Sequence, residues 1–134
     1  MATTTASITI SSGDLTGDSL SLSSTATFTK ANSATGLDQT TGVARKFFAT
    51  AQTAYNLVTA ADYTTGDKAH KVYIKNTSSS NSEYVNIEVG ATNVVVGRLY
   101  GGDWCLLPWD GANDIDIDTS DVNMTVEYLV IYEA

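Results

Sequence analysis

The sequence predicts an all-β protein built from two packed antiparallel sheets. Thr, Val, Ile and Tyr recur in short segments, and Gly, Asn, Asp and Ser cut those segments apart. Helix formers do not occur in runs, and several segments alternate apolar and polar residues with period two. With 134 residues, 43% of them apolar, the chain has material for one core and reads as one domain. Within it, 1–40 holds an N-terminal arm and the first strands, and 41–134 holds the sandwich core.

Taken in order, Ser7 to Ile10 is a short first strand. From Ser19 to Lys30 the apolar Leu20, Leu22, Ala26 and Phe28 alternate with Ser and Thr, which describes a half-buried strand. This Ser/Thr-rich start carries few large apolar groups, so it is expected to add an edge strand or to order against a neighbouring chain. Further strands are expected at Arg45 to Thr50, Ala54 to Thr59, Lys71 to Asn76, Glu83 to Val89 and Asn93 to Tyr100. Three more follow at Asp103 to Trp109, Asp114 to Asp118 and Val122 to Glu133. The separators Thr64-Thr65-Gly66-Asp67, Thr77 to Asn81, Gly90-Ala91, Gly101-Gly102 and Asp110 to Asn113 have the side chains that turns require. Gly101-Gly102 reads as a two-residue hairpin turn between the strands on either side. In the last strand Met124, Val126, Tyr128, Val130 and Tyr132 alternate with Asn123, Thr125 and Glu127, so one face is buried along its whole length.

The formal charge of -8, with no Lys/Arg cluster, repels a phosphate backbone, so no nucleic-acid partner is expected. The N-terminus lacks a basic region followed by an apolar stretch, and no segment is long and apolar enough to span a bilayer. The expectation is therefore synthesis in a cytoplasm and no membrane partner. The single cysteine, Cys105, stands beside Leu106 and Leu107 and reads as a buried thiol that packs as a small hydrophobe. The sequons at Asn76 and Asn123 are chance matches in a Ser/Thr/Asn-rich chain.

Gly17-Asp18-Ser19-Leu20 spells the nucleophile motif of an esterase family, with Asp67-Lys68-Ala69-His70 and Gly111-Ala112-Asn113-Asp114 matching its partner blocks. The blocks stand in the wrong order, and the helices that would flank the required parallel sheet are missing. Ser19 also lies in a strand pattern with no strand-to-helix turn to expose it. No catalytic residue is assigned, and no enzyme is expected. His70, after a Gly-Asp turn, reads as a solvated loop residue, and one histidine with one distant cysteine makes no zinc site or thiol dyad. Asp114, Asp116 and Asp118 alternate with Ile115 and Ile117, with Asp121 nearby. Calcium could neutralise that ladder, but the spacing is not that of an EF-hand, so the ladder reads as a solvent face whose like charges discourage edge pairing. No metal or cofactor is expected.

Both tryptophans, the only proline and the only cysteine fall in Gly97 to Trp109. In the strand from Asp103, Trp104, Leu106 and Pro108 point one way and Cys105, Leu107 and Trp109 the other, so both faces are apolar and the strand is expected to be buried on both sides. Tyr100, Trp104 and Trp109 are accordingly read as subunit or partner packing residues. The weaker reading is a sugar-stacking platform.

The run Ala69 to Asn76 and its Ser/Thr/Asn turn, then Glu83 to Gly90, Gly97 to Trp109 and Thr125 to Glu133, resembles virion structural proteins of tailed phages, notably marine and cyanobacterial ones. Ile74-Lys75-Asn76-Thr77, Gly102-Asp103-Trp104, Pro108 and Glu127-Tyr128 occupy the corresponding places. The resemblance covers about the last half of the chain and implies a β-sandwich of jelly-roll type that decorates or cements the capsid surface. It also implies the major capsid protein or another virion protein as partner, a homo-oligomer with a trimer favoured, and a virion location. The alternatives are a tail-associated structural protein or a carbohydrate-binding, lectin-like module.

Overall fold

Nearly every expected segment forms a strand, but the one expected from Ser19 to Lys30 is exposed at all its strand positions except Phe28 rather than half-buried. The computed structural model describes residues 2–15, 17–63 and 68–133. The strands are β1 (Thr4–Ser12), β2 (Leu20–Phe28), β3 (Gln39–Thr40), β4 (Ala44–Phe48), β5 (Gln52–Val58), β6 (His70–Asn76), β7 (Tyr84–Val89), β8 (Val94–Tyr100), β9 (Trp104–Trp109), β10 (Ile115–Thr119) and β11 (Met124–Tyr132). Among the described residues the only helical piece is a single 3-10 turn at Ala60–Asp62. The Thr64 to Asp67 separator lies outside the described residues.

All pairings are antiparallel and fall into three sheets. One body sheet runs β5-β10-β7-β8, and the other runs β3-β11-β6-β9 with β4 also on β11. Short β3 and β4 thus share one edge of β11, and between them Thr41 N–H donates to Val130 O at 3.0 Å while Val130 N–H donates to Thr41 Oγ1 at 3.0 Å. The period-two pattern turns Ile115, Ile117, Val85 and Ile87 of the first sheet and Val72, Ile74, Met124, Val126 and Val130 of the second into one buried core. β1 and β2 form a third, two-stranded sheet that joins neither edge of the body, so the expected extra edge strand is not formed.

The ribbon of β1 and β2 sorts its side chains by face. Thr5, Ser7, Thr9 and Ser11 stand opposite Thr27, Thr25, Ser23 and Ser21, so one face is all hydroxyl. The other face carries Ala6, Ile8 and Ile10 opposite Ala26, Ser24 and Leu22, with Phe28 at its root. Leu37, only 1% exposed, and Thr4 Oγ1 donating to Leu37 O at 3.0 Å tie that root to the body. Glu133 strengthens the tie by accepting from Ala31 N–H at 2.9 Å.

Four expectations are corrected. β9 is not buried on both sides. It is an edge strand whose Cys105, Leu107 and Trp109 pack on the core while Trp104 and Pro108 are exposed. Gly101-Gly102 does not close a hairpin, because β8 and β9 belong to different sheets, so the turn carries the chain across the sandwich. His70 is no loop residue. It opens β6 and is completely buried. β10 is a central strand, so its aspartates guard no edge.

Candidate functional site

The three aromatics singled out in the sequence are not brought together. Trp109 enters the core at one end of the sandwich, where its ring meets Tyr63 edge-on at 5.3 Å and His70 at 5.5 Å, and its Nε1–H donates to Asn113 O at 2.9 Å. Tyr132 completes this cluster against Tyr63 at 5.1 Å. His70 Nδ1 lies 2.7 Å from Ala69 O within it. Ser19 lies instead in the loop leading into β2, at the end of the ribbon, and Asp67 of the esterase-like block lies outside the described residues.

Tyr100 lies on the outer face of the β5-β10-β7-β8 sheet, 45% exposed, with its ring 6.0 Å from that of Tyr84. Arg98 stacks on the Tyr84 ring at 3.8 Å and donates from Nε to Asn86 Oδ1 at 2.9 Å. This face also carries the aspartate ladder. Asp114 accepts at both oxygens, from Ala60 N–H at 2.7 Å and from Asn56 Nδ2 at 2.7 Å. Asp118 accepts from Ala54 N–H at 2.8 Å and Asn86 Nδ2 at 3.3 Å. Asn93, with its amide nitrogen turned inward, donates to Asp116 Oδ2 at 3.2 Å.

Glu88, which sequence reasoning passed over, stands directly opposite Asp116 on β7. It is only 5% exposed, and both Glu88 Oε2 and Asp116 Oδ1 are buried without a hydrogen-bond partner. Burial raises the Glu88 carboxyl above its ordinary value, and the charge and hydrogen bond of Asp118 and the charge of Asp116 push it the same way. Burial likewise raises Asp116, with Asp114 adding to the effect. Among the described residues, no group of three or more His, Cys, Asp or Glu is arranged to hold a metal ion.

Trp104 points outward from the other sheet and is 51% exposed, its ring tilted against Tyr73 at 6.2 Å. Leu106, Leu129 and Ile131 share this outer face, and the apolar face of the ribbon overhangs it, enclosing a groove of about 860 Å³. Among the described residues of its walls the only carboxylate, Glu127, pairs with Arg45 at 2.8 Å. Cys105 lies between groove and core, and burial raises its thiol above the ordinary value, as expected for a packing rather than a reacting group. A signal for this groove was present in the sequence: beyond Glu127, the polar side of the last strand turns apolar at Leu129 and Ile131.

Comparison with protein-family models, curated proteins and solved structures returns no match.

Proposed function

We propose that the chain is an accessory structural protein of a tailed-phage particle, a jelly-roll sandwich that binds the outer surface of the head and stabilises it through a Ser/Thr-rich N-terminal arm. The observation that carries this reading is the β1–β2 ribbon, a paired sheet that among the described residues joins neither sheet of the body, with one hydroxyl face and one apolar face. Such an element suits contact with a flat protein lattice, where its hydroxyl face replaces the hydrogen bonds of water. The strand orders β4-β11-β6-β9 and β5-β10-β7-β8, with successive strands from β4 to β7 and from β8 to β11 alternating between sheets, support the jelly-roll reading. The resemblance in Ile74 to Thr77, Gly102 to Trp104, Pro108 and Glu127-Tyr128 supports the phage assignment.

The test is co-sedimentation of the purified protein with emptied, expanded heads and, separately, with tails. Saturable binding to heads that is lost on deleting 1–28 is the expected result. Binding confined to tails moves the protein to the tail, and binding to neither overturns the reading. The half-exposed Trp104 beside Tyr73 favours one rival, a carbohydrate-binding module, since an exposed indole is what a sugar ring stacks upon. Quenching of Trp104 fluorescence by host polysaccharide, abolished in Trp104→Phe when read through the remaining Trp109, would support that rival.

A further inference from the structure

We propose that the groove beneath the β1–β2 ribbon is a copy-to-copy docking surface, occupied in the assembled protein by the ribbon of a second copy of this chain. The inference uses the same ribbon as the decoration reading but assigns its apolar face to a second copy, which leaves the hydroxyl face for the particle and lets self-association be measured with no particle present.

Four observations carry it. Among the described residues the ribbon pairs as a sheet with itself alone, and a lone two-stranded hairpin is marginal in water without a covered face. Its apolar face is not covered within one copy: Ile8, Ile10, Leu20 and Leu22 remain 39%, 42%, 41% and 46% exposed. The roughly 860 Å³ between it and Trp104, Leu129 and Ile131 would hold on the order of 30 waters against apolar walls. Those ribbon side chains, with Leu15, Val43 and Trp104, leave on the order of 700 Å² of mainly apolar surface open, close to the ~800 Å² per partner that a stable interface covers.

Charge and shape select the occupant. Copies carrying -8 each repel one another over most of their surface. Neither β1 nor β2 contains a charged residue, and Glu127 in the groove wall is already ion-paired. Here, then, two copies can approach at the least electrostatic cost. The groove runs beside strands of nine residues, about 30 Å at the usual rise, so its occupant should be an uncharged rod of that length with one apolar face. The ribbon itself meets that description, which makes the surface self-complementary.

The test measures self-association of the full-length protein by analytical ultracentrifugation and light scattering across the micromolar range. Reversible association is expected. Ile8→Lys on the ribbon and Trp104→Ala on the sheet should each raise the dissociation constant roughly tenfold or more. Because Ile8→Lys lowers the mutual repulsion, its loss of association would report apolar contact. Val95→Lys, on the free β8 edge, should leave association unchanged, and unfolding curves verify that each variant is folded. As a measurement independent of those variants, Leu22→Cys in a Cys105→Ser background should cross-link between copies on mild oxidation. A chain that stays monomeric throughout this range overturns the proposal. So does association that survives both groove substitutions but is lost in Val95→Lys, and so does a groove that takes up a hydrophobic dye stoichiometrically with no change in mass.

Discussion

Glu88 and Asp116 put two carboxyls face to face on neighbouring central strands, each with a buried oxygen that has no donor. Both groups have folded-state pKa values raised above their unfolded values, so the native state binds the extra proton. Their contribution is fully present below the ordinary carboxylate pKa and is lost as pH rises through the folded values. Glu88→Gln keeps the shape and supplies an N–H donor, so it should stabilise the protein by about 1 kcal/mol at pH 8 and by much less at pH 4. Thermal melts at the two pH values check this, and equal shifts would refute it. Glu133 behaves oppositely. Its pKa is lowered, first by the Ala31 N–H and then by the Ala69 N–H and Lys68, so its contribution is present above the ordinary glutamate pKa and lost as pH falls through the folded value. Glu133→Gln should therefore destabilise at neutral pH and have little effect in acid, with protease cleavage near Ala31 as the readout. At Ala54 the backbone has φ +49° where β5 bulges against β10, and Asp118 captures its N–H. Ala54→Gly removes a left-handed Cβ clash at some entropic cost and should stabilise by roughly 0.5–1 kcal/mol in denaturant titration.

The strands themselves were legible, because alternation is a local signal and each pattern covers four or more residues. Only β3, two residues long and wholly exposed, left no trace in the pattern. Position within a sheet was not legible. β9 carries apolar residues on both faces, and sequence alone cannot separate a strand sealed between two layers from an edge strand whose second face lines a groove. The same ambiguity concealed the role of Gly101. Its partner across the turn is not a hairpin neighbour but the Ser78 to Ser80 loop: a Cβ at Gly101 would lie 2.3 Å from Ser80 O and 3.0 Å from Ser78 O. Both atoms are backbone and cannot swing away, so Gly101→Ala should cost about 2–3 kcal/mol in equilibrium unfolding. Gly102, with φ +87° and open space around it, should cost about 1–2 kcal/mol on the same change. Equal costs would mean that the close approach does not matter. His70 was misplaced for a similar nonlocal reason: its aromatic neighbours Tyr63, Trp109 and Tyr132 come from three other parts of the chain.

At the scale of the molecule, net charge and apolar surface act against each other. Each copy carries -8, and the outer face of the β5-β10-β7-β8 sheet contributes the aspartate ladder to that charge, while the opposite outer face sets Lys71, Lys75 and Arg45 against Glu127 and the ribbon strands carry no charge. Copies that meet through the ribbon side still bring two acidic bodies within a few tens of ångströms. The Debye length is about 30 Å at 0.01 M salt and about 8 Å at 0.15 M, so this repulsion is felt at low ionic strength and largely screened at the higher value. Burial of apolar groups, by contrast, does not weaken with simple salt. Association through the ribbon groove should therefore tighten several-fold over that range, measured as the sedimentation dissociation constant. It should tighten further in sulfate, which favours burial of apolar surface. Contact built on ion pairs, through Arg98, Lys71 or Lys75 against the ladder of a neighbour, would weaken over the same range. The sign of the salt dependence thus tells whether apolar burial or ion pairing brings copies together, without any substitution in the chain.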